Sequence, residues 1–181
     1  MVLERFGDPD VYEEAERGLE NGMTLREVMD FEFSGLRTPL DEVVRWMLAN
    51  VRVRPGFREF AERHDPLILS SSFVETIEPL LAREGVQLDV VANNVDPRSD
   101  GWRIRWRDEA VCAHCDEACK RASLPAGRPV VFVGDGYSDR CAALAADRVF
   151  ARDGLARYLE ERGFAFEPFV GFPELSRALG D

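Results

Sequence analysis

The sequence has no excess of positive charge and no long apolar run, and each absence excludes a class of function. Its 181 residues carry a formal net charge of −11, so binding to nucleic acid or to an anionic membrane surface is not expected. No apolar stretch is long enough to cross a bilayer. The first residues lack the basic-then-apolar pattern of a signal peptide, which favours a cytoplasmic protein. The length and the 45% hydrophobic content fit one domain, or a core with an inserted cap.

The most informative segment is an apolar run followed by two aspartates. Val130–Val133 predicts a buried parallel strand, Asp135 lies between two glycines, and Asp139 follows four residues later. This pattern places Asp135 at the carboxyl end of the strand and Asp139 one helical turn on, where open α/β sheets build ligand sites. Two carboxylates in a glycine turn suit Mg²⁺, which prefers oxygen ligands. A solvated acidic turn is the alternative.

Serines follow a second apolar run, and the chain has a single lysine. Leu67–Leu69 predicts a strand that ends at Ser70 and Ser71 and leads into a helix. Serines at such a junction can bind an anion with the free N–H groups of the helix N-terminus, or they can only cap the helix. Lys120 is the one lysine among 23 basic residues, and its compact ammonium suits a phosphate or a carboxylate; chance placement is the alternative.

In this order, the segments of Ser70, Lys120 and Asp135 resemble motifs two, three and four of the haloacid-dehalogenase superfamily of phosphatases. Ser70–Phe73 is similar to the motif of its phosphoserine-phosphatase-like members, and Val149–Asp153 is similar to the methylthiopentenyl-phosphate phosphatase branch. The resemblance implies an α/β fold, with a Rossmann-like parallel sheet, helices on both faces and a small helical cap. It also implies that the substrate is a small phosphorylated metabolite.

The resemblance also assigns roles to individual residues. Ser70 and Ser71 would bind the substrate phosphate, and Lys120 would stabilise its charge. Asp135 would bind Mg²⁺, and Asp139 would support the metal site. The helical pattern of residues 8–50 indicates that residues 1–53 form the cap and residues 54–181 the core. A strand is predicted over 86–92, a hairpin strand over 102–106, and a helix over 116–122 that carries Lys120.

One family motif does not occur in the sequence. These phosphatases begin with a strand that ends in Asp-x-Asp-x-Thr, whose first aspartate is the nucleophile, and nothing similar is found here. Because that strand is central in the family's sheet, its loss would leave two unpaired edges. We therefore expect a natural product with about 15 to 25 more residues before Met1, and negligible activity from the chain as given. The alternative is a short, non-catalytic phosphate- or metal-binding regulator, completed by a partner.

The cysteines allow two interpretations. Cys112 and Cys115 form a C-x-x-C half-site with Cys119 nearby, which is a common arrangement for zinc. The second half-site is missing from the sequence, because Cys141 is the only other cysteine and His64 the only histidine outside this segment. Reduced structural thiols are therefore the favoured interpretation.

Overall fold

Helices occupy the first part of the chain in the computed structural model, which describes residues 2–108 and 111–180. They are α1 (Val2–Phe6), α2 (Pro9–Glu20), α3 (Leu25–Ser34) and α4 (Leu40–Asn50). Thr24 caps α3 through a capping box, since its side chain accepts from the Glu27 N–H and the Glu27 carboxylate accepts from the Thr24 N–H. Among the described residues, we find no helix with the length and hydrophobicity of a membrane span.

Strands and helices alternate over the rest of the chain, as predicted for an α/β fold. The elements are α5 (Phe57–His64), β1 (Ile68–Phe73), α6 (Val74–Glu84), β2 (Val90–Asp96), β3 (Arg103–Arg105), β4 (Val131–Gly134), α7 (Arg140–Ala143), β5 (Arg148–Ala151), α8 (Asp153–Glu161), β6 (Glu167–Pro168) and α9 (Phe172–Leu179). Most strand pairs are parallel, namely β1 with β2, β4 with β5 and β5 with β6, whereas β3 pairs antiparallel with β2 as the predicted hairpin strand.

The strands form two sheets of three strands instead of one continuous sheet. Their orders are β1-β2-β3 and β4-β5-β6, so β1 and β4 each end a sheet among the described residues. An apolar cleft of about 620 Å³ has Leu67–Leu69 and Val130–Val133 among its lining residues. Leu67 and Val131 are 38% and 46% exposed there, which is unusual for the middle of an α/β sheet. The cleft lies between β1, which carries the serines, and β4, which precedes Asp135.

The second sheet is covered by helices on both faces. Val149 and Ala151 of β5 pack into a core cluster with Leu155 and Leu159 of α8. Phe150, between them in sequence, packs instead into a cluster with side chains of α5 and α9. This alternation follows from the two-residue period of a strand and matches the predicted layering.

Helices α3 and α4 are joined to the first sheet by a separate apolar cluster. Leu36 and Val43 are fully buried with Phe73 and Trp102. The Trp102 indole N–H donates to the Thr38 carbonyl at 2.9 Å, so this large side chain is buried without losing its hydrogen bond. The helical region is thereby held against β1 and the β2–β3 hairpin.

One predicted strand begins later than expected. The sequence predicts residues 86–92, whereas β2 spans Val90–Asp96. Gly85 adopts a left-handed conformation with φ 71° at the end of α6, and the Val86 N–H returns to the Leu81 carbonyl at 3.0 Å. Val86 therefore packs on the end of the helix as part of its C-cap, which delays the strand.

Glu32 on α3 gives the stability of the chain a pH dependence. Burial, with a contribution from the charge of Glu16, raises the pKa of Glu32 to about 7. The folded chain then binds more protons than the unfolded chain between the ordinary value of 4.5 and about 7, so stability is lost as the pH rises through that range. We expect Glu32→Gln to raise the free energy of unfolding by about 2 kcal/mol near pH 8 and to change it little near pH 5.

Urea denaturation of the two forms at both pH values measures this effect. Glu42→Gln on α4 is the matched control, since Glu42 is exposed and its loss removes the same charge. An equal gain from Glu32→Gln at both pH values would contradict the assignment.

Candidate active site

Asp139 is the buried centre of the turn that follows β4. Its side chain is 3% exposed, and Oδ2 accepts the backbone N–H groups of Asp135 at 3.0 Å and Gly136 at 2.9 Å. A Cβ on Gly134 would lie 2.8 Å from Asp139 Cγ, so only glycine lets the carboxylate approach the end of the strand. Asp139 thus fixes the backbone that presents Asp135.

Lys120 reaches the same carboxylate from a distant part of the chain. Its Nζ donates to Asp139 Oδ1 at 2.6 Å, and its side chain is 13% exposed. The predicted helix over 116–122 is wrong, because this segment consists of turns and a short 3₁₀ helix at Arg121–Ser123. Asp116 has φ 54°, a left-handed conformation that an α-helix cannot contain. The lysine is therefore positioned by its ion pair, and not by a helix.

Asp135 is the carboxylate that remains available to a ligand. Its side chain is 58% exposed at the carboxyl end of β4, and Oδ2 lies 3.8 Å from Arg152 Nε. A small cavity of about 170 Å³ beside it is also lined by Arg54. An exposed carboxylate at a strand end fits Mg²⁺, which binds few protein oxygens and keeps several waters. Asp139 already accepts three hydrogen bonds, so it would support such an ion rather than be its main ligand.

Ser70 and Ser71 lie inside β1 and not at its end as predicted, because the strand continues to Phe73 and α6 begins only at Val74. At the serines, β1 leaves its regular pairing with β2. The register shifts between Leu69 and Phe73, and the Ser72 N–H donates to Ser70 Oγ at 3.0 Å. Ser71 Oγ is buried and has no hydrogen-bond partner among the described residues. A buried hydroxyl without a hydrogen-bond partner lowers the stability of the fold. The Ser71 hydroxyl is therefore suited to form a hydrogen bond with a ligand or with an additional strand.

Arg107 connects these serines to the lysine segment, and it is the site residue that the sequence did not indicate. Its guanidinium donates to the Ser70 carbonyl at 2.9 Å and to the Cys119 carbonyl at 2.8 Å. Burial lowers the pKa of Arg107. Asn93, fully buried on β2, accepts the Arg107 N–H and donates to the Ser71 carbonyl. Hydrogen bonds therefore link the serine segment to the carbonyl of Cys119, whose neighbour in sequence, Lys120, is paired with Asp139 of the third segment.

Four cysteine thiols lie on the two segments that carry Lys120 and Asp139. The sulfur atoms of Cys112, Cys115, Cys119 and Cys141 are all within 4.8 Å of one another. Burial raises the pKa of Cys115, and it raises that of Cys119 to about 11. Burial also acts to raise the pKa of Cys112, but hydrogen bonds from the His114 backbone N–H and from the other thiols lower it to about 7.

A known protein family matches most of the chain. The family model of the haloacid dehalogenase-like hydrolases matches residues 7–144, which include the segments of Ser70, Lys120, Asp135 and Asp139. The chain belongs to this family. As a haloacid dehalogenase-like hydrolase, it has the α/β fold that the sequence predicts.

Curated relatives of this haloacid dehalogenase-like hydrolase are phosphatases. A 2-hydroxy-3-keto-5-methylthiopentenyl-1-phosphate phosphatase of Bacillus cereus is 25% identical over 98% of this chain and 87% of the relative. A polyol phosphate phosphatase of Saccharomyces cerevisiae is 31% identical over 80% of this chain and 69% of the relative. The resemblance to the phosphatases of the superfamily, and to the methylthiopentenyl-phosphate branch, is confirmed.

Proposed function

We propose that these residues form the phosphate- and metal-binding part of a Mg²⁺-dependent phosphatase that acts on a small phosphomonoester. The observation that carries the proposal is the ion pair of Lys120 with Asp139, 2.6 Å long, in which the same carboxylate holds the turn of Asp135. The buried Asp139 carboxylate thus holds both Lys120, the cation proposed to bind phosphate, and the turn of Asp135, the carboxylate proposed to bind the metal. Phosphoryl transfer depends mainly on such positioning and charge stabilisation.

Each polar group has a separate task in this proposal. Ser70 and Ser71 bind the phosphoryl oxygens through hydroxyl and backbone N–H groups, and Lys120 stabilises the charge on those oxygens. Asp135 holds Mg²⁺ and Asp139 keeps that carboxylate in place; the ion, when bound, neutralises charge between carboxylate and phosphate. The helical region, residues 1–53, is the cap that covers the site and opens for product release.

The proposal assigns the nucleophile to a strand in the cleft between β1 and β4. A covalent aspartyl-phosphate route requires a carboxylate at the end of that strand, and the 181 residues contain no Asp-x-Asp-x-Thr. The cleft of about 620 Å³ is lined by exposed apolar residues such as Leu67 and Val131. A strand in the cleft would bury this apolar surface. Such a strand would also pair the two free sheet edges.

The substrate class follows from the family and from the names of the relatives. One relative is named for a methylthiopentenyl phosphate and the other for polyol phosphates, and both names describe small organic phosphomonoesters. We propose a substrate of the same class for this chain.

A regulatory protein is the second candidate, and the missing motif is the observation that favours it. A chain that retains Lys120, Asp135 and the serines could bind phosphate or Mg²⁺ without turnover. Binding of inorganic phosphate by the natural full-length product, with no hydrolysis of any phosphomonoester, would support this candidate.

The test begins with the genomic frame upstream of Met1. We expect it to encode an apolar strand with Asp-x-Asp-x-Thr, and we expect the longer protein to hydrolyse p-nitrophenyl phosphate with Mg²⁺ at least about 10³-fold faster than the 181 residues do. A robust Mg²⁺-dependent rate from the 181 residues alone would show that the nucleophile is misassigned. A stop codon before any such motif would favour the regulatory candidate.

A further inference from the structure

The four-cysteine cluster has the geometry of a closed metal site. The Cys112 and Cys141 sulfur atoms are 3.8 Å apart, and the four sulfur atoms are mutually within 4.8 Å. A tetrahedral zinc site with four Zn–S bonds of about 2.3 Å has sulfur–sulfur separations of about 3.8 Å. Cys119 and Cys141 are 7% and 8% exposed, as expected of a structural site that excludes water.

Cys141 supplies the fourth ligand, which the segment of Cys112, Cys115 and Cys119 lacks. The half-site of Cys112 and Cys115 is local, whereas Cys141 lies on α7, two residues after Asp139. The pairing of Lys120 with Asp139 brings the two segments together, so the fold supplies the second half of the site.

A basic side chain also lies beside the sulfur atoms. The Arg121 guanidinium lies 4.0 Å from Cys141 Sγ and offsets part of the negative charge that four thiolates bring.

We propose that Cys112, Cys115, Cys119 and Cys141 bind one structural Zn²⁺ ion. A cleft of about 390 Å³, lined in part by Val111, Cys112 and His114, gives the ion a path from solvent. The ion joins the segment 112–119, which has almost no regular secondary structure, to helix α7. Because Cys119 precedes Lys120 directly, the zinc site holds the lysine against Asp139. This inference is independent of the proposed function, since it concerns a separate metal with its own readout.

The test is the metal content of the protein purified without a polyhistidine tag. We expect one zinc per chain after dialysis against EDTA, and loss of most of it in Cys141→Ser. His114→Ala is the matched control and should retain the full zinc content, because His114 is not among the four clustered ligands. Cys141→His is expected to regain zinc, since three thiolates and an imidazole also form a stable site.

A second measurement does not depend on the folding of any variant. The wild-type apoprotein reconstituted with Co²⁺ should show the thiolate-to-cobalt charge-transfer absorption and the visible bands of a tetrahedral sulfur site, and added Zn²⁺ should abolish them. A wild-type protein without stoichiometric zinc, one that holds iron instead, or one in which two of the cysteines form a disulfide on isolation would overturn the proposal.

Discussion

Asp135→Asn should reduce turnover of the proposed phosphatase, with its nucleophile strand, by at least about 10³-fold, which corresponds to about 4 kcal/mol of transition-state stabilisation. The substitution keeps the size of the side chain but removes the exposed carboxylate of the turn held by Asp139. An amide oxygen is a much weaker ligand for a hard cation, so the Mg²⁺ concentration needed for half-maximal activity should rise as well. The measurement is the rate of p-nitrophenyl phosphate hydrolysis as a function of MgCl₂.

The control for this prediction is Asp89→Asn. Asp89 is exposed just before β2, at the opposite end of that strand from the site, and its loss changes the net charge by the same amount. Binding of Mn²⁺ to the 181 residues, followed by electron paramagnetic resonance, adds a readout that needs no turnover. A variant Asp135→Asn with near-normal rate and metal affinity would rule out this residue as the metal ligand.

Local patterns predicted the parts of the site that lie within one strand and its following turn. The run from Val130 to Asp139 contains its own strand, glycine turn and carboxylates, so its structure follows from neighbouring residues. The interactions that decide this conformation are between residues a few positions apart.

The other parts of the site depend on contacts between residues that are distant in sequence. Arg107 contacts Ser70, 37 positions away, through a backbone carbonyl, which carries no sequence signature. Cys141 joins the C-x-x-C segment from 29 positions after Cys112. The predicted helix around Lys120 failed for the same reason, since the sulfur cluster and the left-handed Asp116 override local helix propensity.

Lys120→Met should have the second large effect, and it should act on stability as well as on activity. The substitution removes the ammonium that lies 2.6 Å from the Asp139 carboxylate, whose side chain is only 3% exposed. The carboxylate then stays buried without its cation. Loss of one member of a buried ion pair typically costs about 3 kcal/mol, because the other charge remains desolvated. Arg45→Met is the matched control, since its pair with Asp41 is exposed on both sides and its loss should cost less than about 1 kcal/mol. Urea denaturation measures both variants.

The double variant Lys120→Met/Asp139→Asn separates the two roles of the lysine. The introduced asparagine is neutral, and its side-chain carbonyl can still accept from the N–H groups of Asp135 and Gly136, so about 1–2 kcal/mol of the lost stability should return. Turnover of the proposed phosphatase should not return, because the lysine ammonium no longer faces the phosphoryl oxygens. If turnover recovers with stability, Lys120 acts only as a structural partner of Asp139. If neither single variant loses stability, the buried pair is not the anchor of the site.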